Sequence, residues 1–194
     1  MNAVAVAALF AAYVIGSLDF AVVVARARGV DIYEVGSGNP GTSNVLRTMG
    51  KGAAAMTLFG DLLKGFISAA IGFSAAGTWG AAAAGFLAVV GHCYPLFHRF
   101  QGGKGVATAA GMLLWIIPVA ALVLVVVWVA LVAVTRVASI GSLAVMVLAV
   151  PAAWYSEVGW PALAWIVATA VLVAYRHRGN IGRLLGSGEQ KVVS

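Results

Sequence analysis

Long apolar runs, at about 3–25, 52–73, 79–97, 106–135, 138–155 and 159–175, alternate with short polar stretches along this chain. None of them alternates in polarity as a barrel strand would, so each predicts a helix. Runs of about 20 apolar residues match the hydrocarbon thickness of a bilayer, which makes these helices membrane-spanning. The run 106–135 is too long for one crossing: as a single helix it would extend about 45 Å against a core of about 30 Å. Pro118 has no amide hydrogen to donate and restricts the residue before it, so the break is expected there. The split predicts seven crossings, with 106–117 forming a short helix of about 18 Å. The first run lacks the basic start of a signal peptide and reads as a first transmembrane helix, with Asp19 near its exit beside Arg26 and Arg28.

Composition agrees with this reading. The 194 residues are 62% hydrophobic and 9% charged, where a soluble domain carries roughly 25% charged residues, and the mean hydropathy is +1.01. An all-α integral membrane protein follows, organised as a single transmembrane domain over 1–194. The lone Cys93 excludes an internal disulfide and a multi-cysteine metal site. Stability must come from helix packing, for which the 24 glycines and many alanines are suited. The net charge of +6 comes from basic residues at the ends of apolar runs, where anionic headgroups and an anionic substrate are better partners than nucleic acid. With seven crossings and the N-terminus outside, every Lys and Arg except the intrahelical Lys64 falls on the cytoplasmic side, and Glu157 alone charges the outer loops. Six crossings would strand Arg136 and the basic tail on the opposite side of the membrane from the first two polar segments. The expected architecture is therefore a seven-helix bundle with its C-terminus in the cytoplasm.

Three polar segments interrupt this scaffold, and the charge pattern puts all of them on the cytoplasmic face. The first runs from Gly36 to Arg47. Gly36, Gly38 and Gly41 allow N–H groups to converge, Asn39-Pro40 favours a turn, and Thr42, Ser43 or Asn44 is positioned to cap a following short helix. Arg47 can grip a phosphate bidentately. By itself the segment also reads as a tight turn, but the clustering of Ser37, Asn39, Thr42, Asn44 and Arg47 points to a site. The second, Gly102-Gly103-Lys104-Gly105, puts an ammonium directly before a helix start, where anions are favoured. It is not a nucleotide-binding P-loop, because Gly105 follows the lysine and His98 stands where the first glycine would be. His92, at the end of the preceding apolar run, is a structural histidine or a catalytic one.

The third segment runs from Arg176 to Glu189. A basic stop-transfer cap accounts for Arg176, Arg178 and Arg183 but not for His177 and Asn180, whose i,i+3 spacing sets them on one face of a helical turn. Ser139 and Ser142 follow Arg136 at a helix start and are caps, packing residues or part of the site. Asp61 and Lys64 lie i,i+3 inside the second helix, where charge must be compensated; they pair with one another, or Lys64 lines a pocket from below. No serine-hydrolase elbow is present, since Val35 and Asn39 flank Gly36-Ser37-Gly38, and no histidine is followed by an aspartate five residues later. Nothing in the spacing suggests a metal ligand set.

In this order, the stretches Gly36 to Arg47, Gly60-Asp61 to Lys64-Gly65, Gly91-His92 to Thr108, Arg136 to Ser142 and Arg176 to Glu189 resemble the bacterial acyl-phosphate:glycerol-3-phosphate acyltransferase family over almost the whole chain. The resemblance implies a seven-helix bundle in the bacterial inner membrane, active as a monomer, with its site on the cytoplasmic face. It implies transfer of an acyl group from acyl phosphate to the 1-hydroxyl of glycerol 3-phosphate, giving lysophosphatidic acid and phosphate, the first acylation of phospholipid synthesis. Neither a cofactor nor an acyl-enzyme is expected. By the same resemblance Ser37, Arg47, Ser142, His177 and Asn180 hold glycerol 3-phosphate. Asn39, Thr42, Gly102, Gly103 and Lys104 surround the acyl phosphate, with Gly38, Gly41 and Asn44 completing the binding loop. Ser37, Arg47, Lys104, His177 and Asn180 are the catalytic candidates, supported by Asp61, Lys64, His92, Ser139, Arg176 and Glu189. The base is His177 or a substrate phosphate oxygen, and the reading leans to the substrate. Thr42-Ser43 and Ile140-Gly141 depart from the alanine-containing pairs of the family pattern, which touches fine geometry only.

Two other classes compete. A phosphate transporter would show a repeated half and interrupted helices meeting at mid-membrane, whereas no internal repeat is visible. A lipid phosphatase would accommodate His177 with Arg176 and Arg178 but leaves the glycine-rich first segment unexplained.

Overall fold

The computed structural model describes residues 3–186 and 188–192, and among these there is no strand. The helices are α1 (Ala3–Gly16), α2 (Phe20–Arg26), α3 (Thr42–Cys93), α4 (Val106–Ile116), α5 (Pro118–Thr135), α6 (Ala138–Tyr155), α7 (Trp160–Arg176) and α8 (Arg178–Leu185), with a 3-10 turn at Leu96–His98. The stretches Ala3–Arg26, Thr42–His98, Pro118–Thr135 and Ala138–Tyr155 are long and apolar enough to cross a membrane, while Val106–Ile116 and Trp160–Arg176 are apolar but shorter.

The 52 residues of α3 are not one rod. Gly50 (φ 82°) and the pair Ala76 (φ −156°) and Gly77 (φ 67°) break it into arms at 42–49, 51–75 and 78–93. The left-handed values at Gly50 and Gly77 are open to glycine at little cost. The gap between the runs 52–73 and 79–97 predicts a loop around 75–78, and the chain reverses there within the tight kink at Ala76-Gly77, with Gly72 and Gly80 packed face to face just inside it. Residues 106–135 divide as expected, with Pro118 opening α5 after a non-helical Ile117 (φ −135°, ψ 63°).

The first run departs from its prediction. It is two helices, because Asp19 turns inward and caps α2, accepting from the N–H groups of Ala21 at 3.1 Å and Val22 at 3.2 Å. A break inside lipid leaves carbonyls that must be satisfied by protein. Here the Nζ of Lys64 reaches across and donates to the Leu18 carbonyl at 2.7 Å. Asp19 is thus fully buried beneath the site rather than paired with Arg26 or Arg28 at a helix exit.

Lipid offers no hydrophobic drive for one helix to leave it for another, so close van der Waals contact between small residues holds the bundle. A β-carbon on Gly65 would lie 2.0 Å from the Thr108 carbonyl, and one on Gly111 would lie 1.9 Å from the Leu62 carbonyl, so the 51–75 arm and α4 touch backbone to backbone. Gly16 and Gly91 do the same between α1 and the 78–93 arm. The 78–93 arm is consequently the centre of the molecule, with Ala81, Ala82, Ala84, Ala88 and Val89 fully buried. Behind α3 and α4, α5 presents only Ala121 and Leu124 as buried residues, while Val119, Val123, Val126 and Val134 face outward.

Candidate active site

The polar segments that the sequence singles out meet at one end of the bundle, around a cavity of about 810 Å³. Its polar end is formed by the first loop, the start of α4, and the α7–α8 junction. Its walls farther in are Leu62 of α3, Leu113 of α4, Leu124 and Trp128 of α5, and Met146 of α6.

The first segment is a loop stapled by one side chain. Asn44, 2% exposed, accepts from the Ser37 N–H at 2.9 Å and donates from Nδ2 to the Val35 carbonyl at 3.0 Å. Gly36 and Gly38 both adopt positive φ, and a β-carbon at Gly36 would strike the Asn44 amide. The predicted side-chain cap on the following helix is not formed: Gly41 occupies the cap position, with no side-chain hydrogen bond. Ser37, Asn39, Gly41, Thr42 and Arg47 line the cavity, and the helix start beside them favours an anion. Asn44, predicted to touch substrate, also reaches the wall, but both ends of its amide already serve the loop. Gly38 does not line the cavity.

The second segment is fastened from two sides. Arg176 donates from Nε to the Gly103 carbonyl at 3.1 Å and from Nη2 to the Gly102 carbonyl at 2.7 Å, while its guanidinium stacks over Tyr94, 5.0 Å from the ring centre. The Gly103 N–H donates to the His92 carbonyl at 3.1 Å. Gly102 and Gly103 shape this turn and do not line the cavity; Lys104 and Gly105 do. Glycine is required at 103 by space, since a β-carbon there would meet His92 Nε2 at 2.2 Å and the Pro40 carbonyl at 2.6 Å. That contact is also where the first and second segments touch.

Lys104 points at the third segment, its Nζ donating to Asn180 Oδ1 at 2.5 Å. Asn180 donates in turn to Glu189, whose carboxylate is held by Arg183 Nε at 2.8 Å. Burial lowers the Lys104 ammonium to about 8, against the pull of Glu189 that favours its charge. Arg47, as a guanidinium, stays charged throughout the working pH range. His177, 3% exposed, donates from Nδ1 to the Val173 carbonyl at 2.8 Å, which leaves its Nε2 as an acceptor. Burial depresses it to about 4, so it is neutral at pH 7.

Ser142 donates to the Ala138 carbonyl at 2.8 Å and accepts from Trp128 Nε1 at 3.2 Å. It is therefore an aligned wall residue and not a helix cap, the cap of α6 being Val137. The Ser139 hydroxyl is buried without a hydrogen-bond partner among the described residues. Below the polar end, Lys64 Nζ lies 2.8 Å from Asp61 Oδ1 and 2.9 Å from His92 Nδ1. Asp61 and His92 reach the cavity, whereas Lys64 does not line it. Sequence reasoning missed Trp128, whose apolar helix gives no sign of a hydrogen bond, and the tail beyond Glu189. That tail returns over the cavity: Val192 N–H donates to the Arg136 carbonyl at 2.8 Å, and Arg47 Nη1 donates to the Lys191 carbonyl at 3.3 Å.

A wall of fixed donors, one ammonium, one guanidinium and a neutral imidazole, joined to an apolar channel, suits an amphiphile with a phosphorylated head. Among the described residues no group of three or more His, Cys, Asp or Glu is placed to hold a metal ion, and no serine or threonine hydroxyl is hydrogen-bonded to a histidine.

A family model described as glycerol-3-phosphate acyltransferase matches residues 6–187. Curated glycerol-3-phosphate acyltransferases resemble the chain throughout. That of Rubrobacter xylanophilus is 43% identical over 183 residues, covering 92% of this chain and 90% of the relative; that of Azotobacter vinelandii is 44% identical over 182 residues, covering 92% and 95%. Among solved structures, the glycerol 3-phosphate form of PlsY (YgiH), an integral membrane glycerol 3-phosphate acyltransferase, superposes with a TM-score of 0.92 at 38% identity, covering 96% of this chain and 94% of that one. Its lysophosphatidic acid form gives 0.91 at 37% identity over the same shares.

Proposed function

The chain belongs to the glycerol-3-phosphate acyltransferase family and is an acyltransferase of the membrane, and from this premise we propose that its acyl donor is an acyl phosphate and its acceptor the 1-hydroxyl of glycerol 3-phosphate. The carrying observation is the single cavity that sets phosphate-suited groups at one end and an apolar channel at the other. Lys104 and the start of α3, with Asn39 and Thr42, take the acyl phosphate head. Arg47, Ser37, Ser142, His177 and Asn180 take glycerol 3-phosphate, and the acyl chain lies along α4, α5 and α6.

In this reading the acceptor hydroxyl attacks the acyl carbonyl carbon directly. The new ester C–O bond forms, the bond from carbonyl carbon to phosphate oxygen breaks, and phosphate leaves with the bonding pair. Phosphate departs readily, so no acyl-enzyme is needed. The hydroxyl proton passes to a phosphate oxygen. At about 4, His177 is a poorer base than a phosphate with a second pKa near about 6. Its Nε2 instead accepts from the hydroxyl and aims it, while Lys104 and Arg47 stabilise charge gathering on the carbonyl and phosphate oxygens. The basic loops support an arrangement with the N-terminus outside and the site facing the cytoplasm.

The test is phosphate release by the purified protein in detergent with palmitoyl phosphate and glycerol 3-phosphate, repeated with acyl-CoA and acyl carrier protein thioesters. Turnover with acyl phosphate alone supports the reading. Turnover with a thioester alone overturns the donor assignment.

A further inference from the structure

His92 reaches the cavity but has no part in the reading above. It joins three features. Its carbonyl receives the Gly103 N–H, its Nε2 lies against the Gly103 backbone with no hydrogen-bond partner among the described residues, and its Nδ1 sits 2.9 Å from Lys64 Nζ. Asp61 Oδ1 lies 2.8 Å from that ammonium and 3.4 Å from Nδ1. Asp61, Lys64 and His92 are 1%, 3% and 3% exposed, so the cluster is almost wholly enclosed, and these contacts and that of Lys64 with the Leu18 carbonyl fix its geometry.

An ammonium has three donors and no acceptor. Lys64 directs them at Asp61, at the Leu18 carbonyl of the α1–α2 break, and at His92. A protonated Nδ1 would place two donors nose to nose at 2.9 Å, which a low-dielectric interior penalises heavily. The contact therefore selects the tautomer with a bare Nδ1 and the hydrogen on Nε2. That hydrogen stands where the Pro40 turn and the Gly103 turn meet, beside Lys104.

We propose that His92 is an additional substrate-binding donor, its Nε2–H held toward the anion at the second segment, and that Asp61 and Lys64 are positioning residues that fix its tautomer. This rests on the reading that a phosphate group occupies this end of the cavity. It gives the buried charges a use beyond mutual neutralisation: a pure ion pair would not need a ring nitrogen at its third corner. It also accounts for Gly103, since any side chain there would cover the donor.

The test has two arms. In 15N-histidine-labelled protein in lipid nanodiscs, with three histidines to resolve and H92Q to assign the signal, two-bond proton–nitrogen correlations should show His92 as the Nε2–H tautomer. In the D61N/K64M double variant, which removes both charges together, the signal should become a mixture. In the activity arm, H92F should lower kcat for palmitoyl phosphate by about 100-fold, the usual loss for one preorganised donor, and H92Q, whose amide N–H can replace Nε2–H, should recover most of it. An Nδ1–H tautomer in the parent protein overturns the proposal even if no His92 variant folds. So does an H92F enzyme with parental kcat. A parent protein inactive on acyl phosphate would instead overturn the functional reading, leaving the tautomer result to stand separately.

Discussion

At the scale of single residues, charge and space explain most of the site. Lys104 and Arg47 converge on the cavity from different elements, and neither closes an ion pair with a carboxylate among the described residues. Lys104→Ala and Arg47→Ala should each abolish phosphate release while leaving a folded protein, judged by gel filtration and by protection of the buried Cys93 thiol from maleimide. The lowered Lys104 adds a pH signature. Its ammonium is present below about 8 and lost as pH rises through that value, so KM for the phosphate it binds should climb on the alkaline side. In Lys104→Arg the climb should vanish, because a guanidinium keeps its charge throughout. His177 titrates near about 4, so no change in kcat between pH 6 and pH 8 should trace to it. The identity of these residues was legible in the sequence, because glycine clusters, amides and cations are rare in an apolar chain. Their division of labour was not: that Asn44 staples a loop and that Arg176 clamps two carbonyls depends on distances that no spacing encodes.

At the scale of elements, hydropathy located the helices and misjudged their continuity where a polar residue serves the backbone. Asp19 looked like a charge at a helix exit, yet it caps a second helix inside the same apolar run. The partner that makes this tolerable, Lys64, lies 45 positions on in a different helix, beyond any local pattern. Pro118 was legible because its effect is local and steric. The glycines of α3 and α4 mark backbone contacts that the small-residue content only hinted at. Replacing Gly111 with Ala forces a β-carbon into the Leu62 carbonyl, overpacking that should cost about 1–3 kcal/mol. Thermal unfolding in detergent, followed by thiol exposure of Cys93, should shift to lower temperature. Gly182, with nothing near it, should accept Ala without such a shift.

At the scale of the whole molecule, three segments distant in sequence share one cavity because the helices between them return the chain repeatedly to the same end. Charge bias predicted that convergence, since basic loops gather on one side of a membrane regardless of local structure. It carried no information about the depth of the channel, which depends on packing among α4, α5 and α6. Ala121 and Leu124 are the buried residues of α5 and both line the cavity, with Leu113 opposite. Ala121 lies 14 positions before the end of α5 at Thr135, about 21 Å along the helix from the polar end. It is small where a larger side chain would close the channel. Each methylene buried from water contributes about 0.8 kcal/mol, so shortening the channel should weigh on long chains and spare short ones. Ala121→Phe should therefore lower kcat/KM for palmitoyl phosphate, leave decanoyl phosphate near the parental value, and leave KM for glycerol 3-phosphate unchanged. A uniform loss across chain lengths would instead place the acyl chain outside this channel, on the lipid-facing side of α5.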